Sequence, residues 1–154
     1  MGRRTQEGET LEQYKQRMID PISESYCAAK WYNATIWLGH GQTASCHHPP
    51  GHWIPLEELK DNYTAIHNTK HKKLMRKYMQ EGKRPAECEY CWKVEDMGKN
   101  HVSDRTFKTE IFKDEDIHKS AEMPWDENVM LRTLEISFDR ACNFSCSYCN
   151  PAFS

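Results

Sequence analysis

No run of apolar residues comes near the roughly 18 that a membrane-spanning helix needs, so no span is expected. Arg3 and Arg4 are followed by no apolar stretch, so neither a Sec nor a Tat leader is expected, and Gln6 stands where a myristoylation signal wants Ser or Thr. An excess of one charge is missing too. The net charge is −2, which gives no overall field to draw nucleic acid or an anionic membrane. No internal repeat, low-complexity tract or paired-carboxylate constellation stands out. Hydrophobic residues make up only 38% of the chain, so the core is small and a covalent or metal staple would help it. These absences leave the cytoplasm as the expected compartment, with neither a membrane nor a nucleic-acid partner.

What the chain has is cysteine: seven in 154 residues. In a reducing compartment grouped cysteines point to metal or redox chemistry, and an odd count argues against a fully paired disulfide framework. Three of the seven, Cys142, Cys146 and Cys149, fall in DRACNFSCSYCNP near the end of the chain. The other four are Cys27, Cys46, Cys88 and Cys91.

Patterning around them predicts a mixed α+β architecture. TLEQYKQRMIDP predicts a short helix with a capping box from Thr10 to Gln13 and a stop at Pro21. WYNATIWLGHGQTASC predicts a hairpin turning at Gly39-His40-Gly41. PLEELKDN predicts a short helix. NTKHKKLMRKYMQEG predicts a longer one, capped by Asn68 and ended by Gly82, with His71, Leu74, Met75, Tyr78 and Met79 as its apolar stripe. The CEYC motif should open a further helix, and SDRTFKTEIF another, capped by Ser103. Residues 113–128 are acidic and weakly patterned, and are expected to be a connector. In LRTLEISFDRAC, Leu134, Ile136 and Phe138 alternate with polar residues as in a strand. The expected segments are a helical arm (1–25), a cysteine-bearing module (26–100), a helix and connector (101–130) and a strand with its cysteine loop (131–154).

Three thiolates leave a tetrahedral zinc site one ligand short, but they suit a cubane iron–sulfur cluster with one iron open. The CxxxCxxC spacing, with Tyr148 before the third cysteine and an alternating strand before the first, resembles the radical S-adenosylmethionine enzymes. That resemblance implies a [4Fe–4S] cluster on Cys142, Cys146 and Cys149, with S-adenosylmethionine chelating the fourth iron and Tyr148 beside the cofactor. One electron from the cluster would cleave the sulfonium to methionine and a 5′-deoxyadenosyl radical, which abstracts a substrate hydrogen. A flavodoxin or ferredoxin reductant is implied, and a peptide is the implied candidate substrate. The strand would be the first of an incomplete (β/α) barrel, so the chain reads as a piece of a longer or split protein, with a separate chain as one source of the remaining barrel. Alone it is expected to be inactive.

Four cysteines are the count that closes a zinc site or a fully ligated cluster. The layout of Cys27, hairpin, Cys46, helices and CEYC resembles the twitch and SPASM auxiliary-cluster modules of radical S-adenosylmethionine enzymes. It implies an auxiliary [4Fe–4S] cluster, with a zinc ion as the alternative. No βαβ pattern surrounds CEYC, which argues against a thioredoxin-type role. His47, His48 and His52 are expected to be exposed turn histidines. Lys70, Lys72, Lys73, Arg76 and Lys77 are expected to form a solvated basic helix face. Trp31, Trp37, Trp53 and Trp92 are expected in the core. Two rival functions stay open: a zinc-stapled binding module, and a non-catalytic iron–sulfur electron carrier.

Overall fold

The structure, a computed structural model, describes residues 5–98, 101–139 and 147. Within them the α+β expectation holds: a small mixed sheet is surrounded by short helices. The predicted capping box is formed, with Thr10 accepting from Gln13 N at 3.2 Å and Gln13 Oε1 accepting from Thr10 N at 2.8 Å. It starts α1 (Leu11–Tyr14), which widens into a π-helical turn, Lys15–Ile19. After α2 (Ala29–Tyr32) come β1 (Asn33–Trp37) and β2 (Gln42–Ala44), paired antiparallel as predicted. Of the turn residues Gly41 takes the left-handed conformation, at φ 63°, which a side chain would strain. β3 (His52–Trp53) pairs antiparallel with β2.

Helices α3 (Leu56–Asp61), α4 (Lys70–Gln80), α5 (Glu89–Asp96) and α6 (Asp104–Glu110) follow. Next are α7 (Asp114–Glu122) and β4 (Thr133–Ser137). β4 pairs in parallel with β1, Asn33 opposite Thr133 and Trp37 opposite Ser137, giving the order β3-β2-β1-β4. It is an edge strand, and Leu134, Ile136 and Phe138 stand exposed.

The core draws on the whole described chain. Tyr14 and Ile19, Tyr26, Trp31 and Tyr32, and Phe112 and Ile117 are all buried in one cluster. Three of its aromatics find partners for their polar ends: Tyr26 Oη lies 2.5 Å from Ser120 Oγ, Tyr32 donates to Asp116 O at 2.7 Å and Trp92 Nε1 to Pro85 O at 2.8 Å, whereas Tyr14 Oη and Trp31 Nε1 are buried with no hydrogen-bond partner among the described residues.

Several expectations are corrected. Thr69, not Asn68, caps α4, by accepting from Lys72 N. Asn68 is buried instead, donating to Val129 O and accepting from Arg76. Leu74 is exposed, and the buried side of α4 is Lys72, Met75, Arg76 and Met79. The basic face is therefore not all solvated. Arg76 is tolerated inside because its guanidinium donates to Lys30 O, Glu127 O and Asn68 Oδ1. The acidic stretch after Lys113 is no plain connector but carries α7. Asp114, Glu115 and Asp116 sit in its first turn, where the helix dipole favours negative charge, and Ile117 anchors it in the core. Trp53 is exposed, because it lies on the outermost strand of the sheet, while Trp31 and Trp92 are buried. Among the described residues no helix is long and apolar enough to cross a membrane.

Candidate metal centre

Cys27, Cys46, Cys88 and Cys91 line one pocket, with Lys30 and Met79 among its walls. Local structure explains how four distant residues arrive there. In the hairpin register Thr35 faces Ala44, so Cys46, two residues beyond Ala44, emerges at the end of the sheet where β1 begins. Helix α2 occupies Ala29–Tyr32 and folds the chain back, so Cys27 lies at that same end. Asn33 fastens it, donating to Ser45 O at 2.7 Å while its own oxygen accepts from Thr133 at 2.5 Å. Cys88 closes a 3₁₀ turn (Ala86–Cys88) and is the N-cap residue of α5, which carries Cys91 on its first turn, as the CEYC motif predicted.

Each sulfur has a donor beside it. For Cys27 it is the Ala29 backbone N–H and for Cys46 that of His48, in both cases two residues further on. For Cys88 it is the Lys30 ammonium and for Cys91 the Arg105 backbone N–H, while the Ser103 hydroxyl is committed to Glu95. Such donors favour the thiolate form. Burial opposes them and wins in the metal-free protein: it pushes Cys27 up to about 12 and Cys88 to about 11, and raises Cys46 and Cys91 as well. A metal must therefore displace protons to bind here.

The positive charge needed to hold thiolates is built in. Lys30 and Lys72 are 2% and 1% exposed. Burial disfavours the Lys30 ammonium, but Cys88 and Glu87 outweigh it and raise its pKa; its Nζ is ion-paired with Glu87. Burial would likewise raise Glu87, but His71 and Lys30 hold it at about 2. Lys72 Nζ has no hydrogen-bond partner among the described residues. Burial and the neighbouring Arg76 and Lys30 charges push it down to about 7.

Behind Cys91, Glu95 accepts from Arg105 Nε at 2.6 Å and from its NH2 at 2.8 Å, and Arg105 NH1 donates to Tyr26 O at 2.7 Å. This buried fork locks α6 against α5. It also positions Asp104 beside the histidine turn: His48 Nε2 is 2.6 Å and His47 Nε2 3.7 Å from Asp104 Oδ2. His48 and His52 are thus not the exposed turn histidines expected; only His47 is exposed. His48 is held by Asp104 and stacked on Tyr90, and His52 is half-buried at 2.8 Å from Thr69 Oγ1. No sequence signal joined Asp104 to the histidines, because 56 residues separate it from His48.

Among the described residues, the potential ligand atoms of His47, His48 and Asp104 all lie within 4.8 Å of one another, and no three cysteine sulfurs do so. In a tetrahedral zinc site with bonds of about 2.3 Å, the sulfurs would stand about 3.8 Å apart. A cubane cluster spreads its thiolates more widely, because each is bonded to a different iron.

Cys142, Cys146, Cys149 and Tyr148 lie outside the described residues. The strand that leads to them ends beside the hairpin turn, where a Cβ on Gly39 would meet Phe138 O at 3.8 Å. The four-cysteine pocket lies at the other end of β1, five residues or about 16 Å away along the strand. No family model, no curated protein and no solved structure matches the chain.

Proposed function

We propose that the chain is an iron–sulfur protein of the radical S-adenosylmethionine type, with two cluster sites. Cys27, Cys46, Cys88 and Cys91 would hold an auxiliary [4Fe–4S] cluster. Cys142, Cys146 and Cys149 would hold the cluster that binds S-adenosylmethionine and supplies the electron for its cleavage. The observation that carries the reading is the convergence of four cysteines on one pocket, each sulfur with a donor beside it and two of them close to the buried Lys30 charge. Their spacing favours the cluster over the zinc ion, since no three sulfurs come within 4.8 Å of one another. The assignment of the loop cysteines rests on their CxxxCxxC spacing.

The residues around the pocket have definite tasks in this reading. The backbone N–H groups of Ala29, His48 and Arg105 orient the thiolates and lower the electron density on sulfur. Lys30, in the pocket wall, offsets the negative charge of a thiolate-ligated cluster, in a place where water cannot. β4 is proposed as the first strand of a (β/α) barrel. Its parallel pairing, open edge and uncovered Leu134, Ile136 and Phe138 are what a strand with further neighbours would present. A flavodoxin or ferredoxin is the proposed electron donor, and a peptide the proposed substrate class, both by family resemblance.

The test is anaerobic purification and reconstitution, with iron, sulfide and zinc measured on the wild type and on a Cys142/Cys146/Cys149→Ala variant. About eight irons, falling to about four in the variant, are expected for two cubanes. About one zinc, with no iron that depends on the loop cysteines, would overturn the reading in favour of a zinc-stapled binding module. Two clusters whose electron paramagnetic resonance signal is unchanged by S-adenosylmethionine would leave an electron carrier instead.

A further inference from the structure

We infer that His47, His48 and Asp104 form a second, mononuclear metal site at the mouth of the cysteine pocket, for a first-row divalent cation such as zinc or ferrous iron. Two imidazoles and one carboxylate, brought from a turn and from the start of α6, place all their ligand atoms within 4.8 Å. Two histidines with one carboxylate are a donor set that zinc and non-haem iron both use, with the remaining positions left to water or substrate. The site is independent of the cluster reading, since it uses none of the sulfurs.

The three groups are brought together before any ion arrives, and an ion would take the place of the proton now shared between His48 Nε2 and Asp104 Oδ2 at 2.6 Å. His48 stacks on Tyr90 with ring centres 4.0 Å apart and planes 14° from parallel, and His47 packs on His48 at 4.1 Å. Asp104 is the first residue of α6, and its neighbours on either side are both tied to buried Glu95: Ser103 Oγ donates at 2.5 Å and Arg105 through its fork. A ligand set held by its supporting contacts loses little freedom on binding. Burial grades outward across the three: His48 is 16% exposed, Asp104 35% and His47 52%. The ion would therefore sit between the pocket wall and solvent, with its open positions outward. A site of this kind can activate a water molecule or bind an anionic group of a substrate.

The test is a Co²⁺ titration of the reduced, metal-free full-length chain under anaerobic conditions. Cobalt held by thiolate shows intense sulfur-to-metal charge-transfer absorption, whereas cobalt held by nitrogen and oxygen shows only weak ligand-field bands. The expected result is one Co²⁺ beyond the thiolate-held ions, with ligand-field bands alone. That equivalent should lose at least ten-fold in affinity in His48→Ala/Asp104→Asn. Circular dichroism checks the fold of the double variant. Should the double variant not fold, His47→Ala, at the exposed ligand, must show the same loss. Uptake that stops at the thiolate-held ions, or a further equivalent unchanged in these variants, overturns the inference. Failure of the cluster reading would register separately, in the iron and sulfide content.

Discussion

Lys72→Met should stabilise the metal-free protein, by an amount that depends on pH. The Lys72 ammonium is 1% exposed with no hydrogen-bond partner among the described residues, and its pKa falls from the ordinary 10.5 to about 7. At about 1.36 kcal/mol for each tenfold change in proton affinity, the fall from 10.5 to about 7 corresponds to a cost of about 5 kcal/mol. Between pH 7 and 10.5 the unfolded chain holds this proton and the folded chain does not. Stability from this group therefore rises with pH across that window, and the cost is fully present below it. Met keeps most of the buried volume and removes the charge. The assay is urea denaturation of reduced, chelator-treated protein, followed by tryptophan fluorescence from pH 6 to 10. The variant should be more stable by on the order of 3–5 kcal/mol at pH 6, and the gap should shrink as pH rises. The raised thiols work the opposite way above about pH 9, but they are common to both proteins and drop out of the difference. An equal stability at pH 6, or a gap that does not narrow, would refute the reasoning. With an anionic cluster bound the sign reverses: the same substitution removes a favourable charge and should make the cluster's reduction potential more negative.

Three further outcomes follow from the same groups. Because burial raises the four pocket thiols, Co²⁺ binding at Cys27, Cys46, Cys88 and Cys91 must release protons; its affinity should rise more than ten-fold per pH unit from pH 6 to 8, and a flat profile would count against them as ligands. His67 is held at about 3 by burial and by the Lys72 and Arg76 charges, against an ordinary 6.5. Stability from keeping it neutral is present above pH 6.5 and lost as pH falls towards 3, by on the order of 3–5 kcal/mol; His67→Gln should flatten that limb of the denaturation profile. Arg105→Met leaves Glu95 buried without its fork and should cost about 3–5 kcal/mol in urea denaturation, and Arg105→Lys should recover only part of it.

Much of the site was legible one segment at a time. The hairpin signal placed Cys27 and Cys46 at one end of a sheet, and CEYC placed two thiols at a helix start, because both depend on contacts between residues close in sequence. Buried polar groups were not legible. Lys72 and Arg76 look like solvated members of a basic helix face; the burial of Arg76 depends on carbonyls of Lys30 and Glu127 that only the fold supplies, and Lys72 is buried with no hydrogen-bond partner among the described residues. The histidine turn was misread for the same reason: His48 is exposed or half-buried according to whether α6 arrives, and α6 is held by Arg105 on Glu95.

By itself the sequence determined the chemistry on offer: seven thiols in two groups, the capping box, the hairpin and the alternating last strand. These are set by residue type and by short-range backbone geometry. Tertiary structure alone decided what those groups meet. It brought four cysteines to one pocket and set the buried Lys30 in its wall. It carried Asp104 across 56 residues to a histidine and laid β4 parallel to β1, so that β4 ends at the opposite end of the sheet from the pocket. Such contacts depend on packing between distant segments, where the cost of burying a charge is balanced by partners that no local pattern announces.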